Sequence, residues 1–319
     1  MNPRSRGVRV EAPCSTANLG PGFDVLGLAL DAYRDLVEVS LERGHGVSTI
    51  VKGPYAKDLS EPPEGNAVTI VAEKVLRESG FEGGVRIELT KNIPVGKGLG
   101  SSGASSAACA LALNILLDLG WNYAKLIQLA MEGEYAASGA RHADNVSASL
   151  LGGLTLIGSY NPLEVVKLVP SEDLRFVVAF PWEAPSRRKT EASRAAAPRS
   201  ITLRDHVSDL GCLALLVTGI IHSDLELIGK AMGKGVVEKA RIPLIPGYHK
   251  VREAAYKAGA YGVSISGAGP ALVALTGEEA TGVAEAVRKA YREQGFTPEV
   301  RVARPAHGAR ILPGEGDEP

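Results

Sequence analysis

The sequence is poor in cysteine, methionine and aromatic residues, and its charges nearly balance. Its six histidines show no metal-ligand spacing. The formal net charge is −1, so the chain has no excess of basic residues of the kind typical of proteins that bind nucleic acids or anionic membranes. The cysteines are odd in number and far apart, so they predict neither a disulfide framework nor a metal cluster: Cys14, Cys109 and Cys212.

Long apolar segments are also missing. No apolar run reaches the roughly 18 residues that a transmembrane helix needs. The basic residues at positions 1–7 are not followed by the apolar segment of a signal peptide. With the few cysteines, this predicts a protein of the reducing cytoplasm, with no membrane or nucleic-acid partner. A length of 319 residues and an apolar fraction of 45% predict a globular chain of two domains or one large domain.

What the chain does contain is a glycine- and serine-rich segment at residues 94–108, PVGKGLGSSGASSAA. Alternate glycines leave backbone N–H groups exposed to an anion. A helical pattern follows from Ala104, with Gly120 as its predicted stop, and apolar residues cover nearly every face of it. A flexible loop is the ordinary interpretation of such a run. A buried helix that begins from it favours a phosphate site.

Two common phosphate motifs fit this segment poorly. A Walker A motif ends in Gly-Lys-Ser/Thr, whereas Lys97 precedes Gly98. The dinucleotide fingerprint is formally present as Gly98-Leu-Gly-Ser-Ser-Gly103, with Asp118 twenty positions after the first glycine. However, its glycines should directly follow a strand. Residues 90–97 separate them from the nearest strand pattern, so a nicotinamide-dependent enzyme is a weaker alternative.

The remaining pattern predicts a mixture of strands and helices without regular alternation, which is typical of α+β packing. Asn66 is a candidate cap for the first helix, and residues 181–199 predict a long functional loop or a lid with a short helix. Residues 265–270 predict a tight turn between two strands. Predicted strands cover 8–12, 36–41, 85–89, 154–158, 174–180 and 299–303, and predicted helices cover 67–79, 104–119, 123–137, 203–221, 224–239 and 282–294.

The pattern Pro-x-x-x-Gly-Leu-Gly-Ser-Ser resembles the phosphate loop of the GHMP small-molecule kinases. Three further segments resemble the same family: residues 12–30, 141–147 (RHADNVS) and 263–275 (VSISGAGPALVAL). The first is similar to the N-terminal signature of the homoserine kinases in particular. The four segments follow the family order, so the resemblance covers nearly the whole chain.

The resemblance implies a two-domain α+β fold. Residues 1–165 would form an ATP-binding domain like ribosomal protein S5, with a left-handed crossover, and residues 166–311 a ferredoxin-like domain. The composition of residues 312–319 by itself predicts a disordered tail. The resemblance also implies ATP and Mg²⁺ as cofactors and L-homoserine as the substrate. The reaction would be in-line phosphoryl transfer to give O-phospho-L-homoserine, on the route to threonine. A homodimer is a family-level expectation.

The resemblance assigns residues to the nucleotide and the metal. Ser102 and Glu134 would bind Mg²⁺, and Asn66 would contact the base. Without the resemblance, Glu134 is a solvated helix carboxylate and Asn66 a simple cap. The full set expected to contact ATP is Asn66, Pro94, Gly96, Lys97, Gly98, Leu99, Gly100, Ser101, Ser102, Gly103 and Ala104.

An amino-acid substrate needs an anion for its ammonium group and a cation for its carboxylate. Asp24 is the candidate anion, and the family motifs place the carboxylate-binding arginines at Arg194 and Arg241. The motif around Arg194 departs from the family at Lys189-Thr190, where Ser-Thr is usual. The full set expected to contact the substrate is Asn18, Asp24, His142, Arg194, Arg241 and Gly267.

The catalytic candidates are Asn18, Asp144 and Asn145. A general base is the ordinary expectation for hydroxyl activation. Asn145 stands where many GHMP kinases have aspartate, and an amide is not a useful base. Asp144 is then either the base or a residue that orders its loop, and a mechanism driven by positioning alone is equally open.

Three rival functions follow from these patterns. Another GHMP kinase would act on mevalonate, shikimate or a sugar, but the N-terminal segment lacks the Gly-Glu-His cluster of the galacto- and mevalonate kinases. The second rival is the nicotinamide-dependent enzyme. The third is an RNA-binding protein on the S5-like fold, which the balanced charge disfavours.

Overall fold

The computed structural model describes residues 7–59, 62–139, 141–184 and 189–313. Its strands form two sheets. The first contains β1 (Val8–Asn18), β2 (Gly22–Glu42), β3 (Gly46–Lys52), β4 (Gly84–Thr90), β5 (Leu154–Tyr160), β6 (Leu163–Leu168) and β11 (Arg310–Leu312). The second contains β7 (Arg175–Pro181), β8 (Gly262–Ile265), β9 (Leu272–Thr276) and β10 (Pro298–Ala303).

In the first sheet the order is β11-β1-β2-β4-β3, and β5 also pairs with β2 and carries β6. Its pairs are antiparallel apart from β3 with β4. The second sheet is antiparallel in the order β10-β7-β9-β8. The predicted α+β class is confirmed.

The described helices accompany these sheets. The first group is α1 (Ala67–Ser79), α2 (Ser101–Leu116), α3 (Tyr123–Ser138) and α4 (Asp144–Leu151). The second is α5 (Lys189–Ala195), α6 (Leu203–His222), α7 (Leu225–Ala231), α8 (Val236–Arg241), α9 (Tyr248–Lys257) and α10 (Ala280–Arg292). Short 3₁₀ turns cover 56–58, 63–65 and 242–244. None of the helices described is both long and apolar enough to cross a bilayer.

Helix α2 lies in the centre of the larger core. Its alanines and Cys109 are buried, and it contacts α1, α3 and α4 as well as β1 and β2. Small side chains on every face let all these neighbours approach closely, as the apolar pattern predicts. The helix that begins at the glycine-rich segment is therefore held rigidly from all sides.

Several element boundaries agree with the sequence and others do not. Helix α1 spans the predicted residues, Asn66 caps it by accepting a hydrogen bond from the Val68 amide, and Gly80 ends it with a φ of 69°. Gly120 was wrong as the stop of α2, because the helix already ends at Leu116. There the Asn114 side chain accepts a hydrogen bond from the Trp121 amide and closes the turn.

The predicted helix 224–239 was also wrong, because the chain breaks it into α7 and α8. Gly233 and Gly235 adopt φ values of 71° and 110°, which other residues reach only with strain. The Gly233 amide donates to the Leu19 carbonyl at 3.2 Å, so the break docks this region onto the end of β1.

The predicted disordered tail at 312–319 was wrong at its first residue, because Leu312 belongs to a strand. Leu312 pairs with Arg9, so β11 returns the chain to the edge of the first sheet after the last strand of the second. Residues 314–319 lie outside the described part of the chain, and the division of the chain near residue 165 stays a prediction.

Candidate functional site

A cleft of about 810 Å³ lies between the start of α2, the start of α4 and the turn that joins β8 to β9. It brings together most of the residues that the sequence predicts for the site. Those lining it are Asn18, Asp24, Asn66, Gly96, Gly98, Leu99, Gly100, Ser101, Ser102, Glu134, His142, Asp144, Asn145, Arg194, Arg241 and Gly267. These residues come from distant parts of the chain, so the tertiary fold assembles the site.

The glycine-rich segment forms one wall of the cleft. Gly96, Gly98 and Gly100 have φ values of 69°, 84° and 63°, in the left-handed region that favours glycine. A Cβ atom on Gly98 would lie 2.4 Å from the Ser266 carbonyl oxygen. Gly100 caps α2 without a side-chain hydrogen bond. The first amides of α2 are therefore presented at the cleft, as an anion site requires.

A buried ion pair holds this wall from behind. Lys91 Nζ lies 2.5 Å from Asp35 Oδ2 and also donates to the Ser101 carbonyl at 2.8 Å and to Ser105 Oγ at 2.6 Å. Asp35 Oδ1 accepts from the amides of Asn92 and Ile93, each at 2.8 Å. The pair therefore ties β2 to both ends of the glycine-rich loop. No motif in the sequence indicates either of these charged residues.

Lys97 is a correction, because its side chain does not line the cleft. Its ammonium group donates to the carbonyls of Trp182 and Ala184 at 3.0 and 3.1 Å. It also lies 5.5 Å from the centre of the Trp182 ring and 5.8 Å from that of Phe180. Burial lowers the pKa of Lys97. The lysine thus fastens the loop to the end of β7, and its predicted contact with ATP is not supported by the geometry.

Three other predicted nucleotide contacts do not line the cleft either: Pro94, Gly103 and Ala104. Pro94 and Ala104 are buried in the fold. A Cβ on Gly103 would come within 3.2 Å of the Asn145 Cβ, so this glycine lets α2 pack closely on α4. These three residues therefore contribute to packing in this structure.

The two predicted metal ligands are adjacent. Ser102 Oγ donates to Glu134 Oε2 at 2.7 Å, across the gap between α2 and α3. Glu134 is buried, which disagrees with a solvated helix carboxylate. Hydroxyl and carboxylate oxygens are the donors that Mg²⁺ prefers, with phosphate oxygens and water completing the shell. No cluster of three or more metal-ligating side chains occurs among the described residues. The donor set therefore fits an ion shared with a phosphate ligand.

A charged cluster forms the opposite part of the cleft. Arg194 Nη2 lies 3.3 Å from Asp24 Oδ2 and also donates to the His142 ring. His142 Nδ1 lies 3.3 Å from Asp24 Oδ1. Burial and the nearby arginines lower the pKa of His142, against the opposing effect of Asp24. The lowered pKa favours the neutral ring, which can accept a hydrogen bond from the Arg194 guanidinium.

Arg241 is held in place by backbone carbonyls. Its Nη1 donates to Gly267 at 3.0 Å and its Nε to Ser193 at 3.2 Å, and its guanidinium lies over the Phe23 ring at 4.9 Å. Asn18 Nδ2 donates to the same Gly267 carbonyl at 3.2 Å. These bonds join the first sheet, the β8–β9 turn and α5 at one corner of the cleft.

Asp144 and Asn145 lie between the glycine-rich wall and the charged cluster. Burial, reinforced by the negative charge of Asp24, raises the pKa of Asp144 to about 7. Asp144 Oδ1 accepts from the Asn145 amide at 2.7 Å. Ser15, which no sequence motif indicates as a site residue, donates to Asn145 Oδ1 at 2.9 Å and so orients the side-chain amide. Asp144 is thus a carboxyl that can exchange a proton near neutral pH.

The nicotinamide alternative does not fit this geometry. Strand β4 ends at Thr90, and a ten-residue connection separates it from the helix that begins at Ser101. Asp118 follows the end of α2 with a φ of 56° and is not at the end of a second strand. A dinucleotide site needs both features.

Comparison with known proteins gives the family. Residues 66–153 match the model of the GHMP kinases N terminal domain, and residues 214–293 match the GHMP kinases C terminal model. A homoserine kinase of Pyrobaculum aerophilum is 39% identical over 301 residues, covering 94% of this chain and 99% of that protein. One of Methanocella arvoryzae is 38% identical over 312 residues, covering 98% and 99%.

A solved structure agrees with these matches. The crystal structure of homoserine kinase from Cytophaga hutchinsonii superposes with a TM-score of 0.88 and 38% identity, covering 96% of this chain and 98% of that one. The expected two-domain GHMP kinase fold is confirmed, and the chain is a kinase, which implies the use of ATP. Its sequence and its fold together place this chain in the GHMP kinase family, among the homoserine kinases.

Proposed function

We propose that this protein transfers the γ-phosphoryl group of ATP to the side-chain hydroxyl of L-homoserine, giving O-phospho-L-homoserine for threonine biosynthesis. The observation that carries the proposal is one cleft with two chemically different parts. A helix N-terminus with bare glycine amides suits a triphosphate. A paired carboxylate and guanidinium suit a zwitterionic amino acid.

The Asp24–Arg194 pair matches the charges of homoserine. An amino acid entering between them exchanges one ion pair for two, with its ammonium group on Asp24 and its carboxylate on Arg194. Arg241 adds a second cation that is already fixed by two backbone carbonyls. Substrates without an ammonium group, such as mevalonate, shikimate and galactose, offer Asp24 no positive charge in exchange for its Arg194 partner.

Phosphoryl transfer depends mainly on positioning and on neutralising the phosphate charge. The phosphates are held in this proposal by backbone amides that line the cleft, and Asn66 contacts the base. These amides belong to Gly96, Gly98, Leu99, Gly100, Ser101 and Ser102. Ser102 and Glu134 hold Mg²⁺, which supplies charge neutralisation when it is bound. Asp144, with a pKa of about 7, accepts the proton of the homoserine hydroxyl. Asn145, whose side-chain oxygen accepts from Ser15, directs its amide nitrogen to Asp144 Oδ1 at 3.5 Å and so helps to position that carboxyl.

A substrate panel tests the reaction. Purified protein with ATP and Mg²⁺ is expected to consume ATP with L-homoserine and much more slowly with mevalonate, shikimate or galactose, and phosphorus NMR identifies the product. Equal turnover of any of these alcohols would favour a different GHMP kinase. ATP consumption that no tested alcohol stimulates would contradict the proposal.

The arginines provide a second test. Arg194→Ala and Arg241→Ala are expected to weaken homoserine binding and leave the Michaelis constant for ATP nearly unchanged. A charge pair of this kind contributes roughly 2–5 kcal/mol once bound substrate shields it from water, so the homoserine constant rises at least about tenfold. Arg199→Ala is the matched control, because Arg199 is exposed and does not line the cleft. An unaltered homoserine constant in both variants disproves the carboxylate role.

We also propose a cytoplasmic homodimer. Helix α6 exposes large apolar side chains along much of its length, including Leu203, Val207, Leu210, Leu215 and Ile221. A monomer leaves this face in water, whereas a second copy covers it. Light scattering is expected to give twice the chain mass, and Leu210→Lys to shift it towards the monomer. A wild-type monomer at micromolar concentration contradicts the dimer.

A further inference from the structure

The hydroxyl of Tyr160 lies where two substrate-binding segments meet. It donates to the Asp24 carbonyl at 2.8 Å and accepts from the Ala143 amide at 3.4 Å. A phenol can do both at once, because its oxygen is a donor and an acceptor. Tyr160 as a whole is 43% exposed, but the partial burial of its hydroxyl raises its pKa, so the hydroxyl keeps its proton at neutral pH. One atom therefore connects the segment that carries Asp24 to the segment that carries His142.

Asp24 needs this support because of its backbone. Its φ of 59° is in the left-handed region, which a residue with a side chain adopts at some cost. The Asp24 amide is held by Asn18 Oδ1 at 3.0 Å, and its carbonyl is held by Tyr160. Both polar backbone groups of the strained residue are thus engaged. The direction of the Asp24 carboxylate follows from this backbone conformation.

The second partner has an equally direct connection to the site. Ala143 is the residue between His142 and Asp144, and it precedes the first turn of α4. Its position sets where the His142 ring lies relative to Asp24, a contact of 3.3 Å. Loss of the shared hydroxyl would therefore allow the two segments to separate, whereas the glycine-rich wall is held elsewhere by Lys91 and Asp35.

We infer that Tyr160 is a positioning residue for the amino-acid substrate, which fixes the spacing between Asp24 and the His142–Arg194 pair by bonding the backbones of Asp24 and Ala143. This inference rests on the proposed homoserine kinase activity. Under this inference Tyr160 does not contact the substrate. Removing its hydroxyl should therefore lower the affinity for homoserine and leave the affinity for ATP unchanged.

Tyr160→Phe tests this with the loss of a single oxygen atom and of both its hydrogen bonds, of which the one at 3.4 Å is weak. This loss corresponds to an increase of about three- to tenfold in the Michaelis constant for homoserine, with the constant for ATP changed by less than about twofold. Tyr123→Phe is the matched control, because Tyr123 is 57% exposed and lies away from the cleft lining. It is expected to leave both constants unchanged.

Hydrogen exchange supplies a readout of the structure itself. Peptides that contain residues 22–28 and 141–147 are expected to exchange faster in Tyr160→Phe, while peptides from the start of α2 keep their protection. The inference is overturned if the homoserine constant stays within about twofold of the wild type, if both Michaelis constants rise together, or if exchange is unchanged. If the wild-type protein does not phosphorylate homoserine, the proposed function fails first, and this is seen before any variant is compared.

Discussion

The buried pair of Lys91 and Asp35 makes the sharpest energetic prediction. Their side chains are 3% and 0% exposed, and Nζ and Oδ2 lie 2.5 Å apart. Removing one partner leaves an uncompensated charge out of contact with water, which costs about 3–5 kcal/mol. Since a domain is typically stable by about 5–15 kcal/mol, Lys91→Met is expected to remove a large part of the free energy of unfolding.

A double-mutant cycle separates the pair from the rest of the network. Asp35→Asn keeps an oxygen that can accept from the Asn92 and Ile93 amides but leaves Lys91 without its counter-ion. We therefore expect each single variant to be strongly destabilised and the double variant to lose clearly less than the sum of the two. Urea unfolding measures all four proteins. The Michaelis constant for ATP should rise in Lys91→Met, because Lys91 holds the Ser101 carbonyl at the start of α2.

The control is an ion pair of similar length on the surface. Lys52 Nζ lies 2.8 Å from Glu88 Oε2, but the two side chains are 55% and 28% exposed. Lys52→Met is expected to change the stability by less than about 1 kcal/mol. Two results would contradict an electrostatic role of the Lys91–Asp35 pair in holding the loop. One is that Lys91→Met is no more destabilising than Lys52→Met, and the other is that the double variant loses the sum of the two single losses in the free energy of unfolding.

Three further predictions concern the same cleft. Gly98→Ala should abolish ATP binding measured by calorimetry, whereas the control Gly120→Ala should not. Both glycines have a positive φ, but of the two only Gly98 has backbone oxygens within 3 Å of the new Cβ. The pKa of Asp144 is raised from 3.8 to about 7, so its contribution to stability is greatest below about pH 4 and is lost as the pH rises through about 7. In Asp144→Asn the urea midpoint should depend less on pH between pH 5 and 8 than it does in the wild type. An unchanged pH dependence contradicts the raised pKa of Asp144. Lys97→Met leaves buried carbonyls without a donor, which should cost about 1–3 kcal/mol in urea unfolding and leave ATP affinity nearly intact, and a clear loss of affinity would restore Lys97 as an ATP contact.

Local pattern predicted the elements best where one segment carries all of its own signals. Helix α1 has its cap at Asn66, an apolar face and a terminal glycine within fifteen consecutive residues. The break between α7 and α8 was missed because two glycines are compatible with a frayed helix until β1 docks against them. Strand β11 was missed because three residues carry almost no periodicity.

The same division holds for the site. Motifs on the chain identified most residues that line the cleft, because binding a phosphate or a carboxylate demands particular residue types at fixed spacing. They could not show that the Lys97 side chain leaves the cleft for β7, or that Ser15 and Tyr160 orient the groups beside it. Each of these roles depends on at least one partner more than eighty residues away in the chain.

The amino-acid sequence by itself determined the family, the glycine-rich anion loop and the charges that an amino-acid substrate requires, since backbone freedom and side-chain chemistry are local properties. Only the tertiary structure decided which of these groups line one cleft, which pack elsewhere in the fold, and how far burial shifts the pKa of Asp144. Distances between remote segments and removal from water set those outcomes, and neither is encoded at a single position.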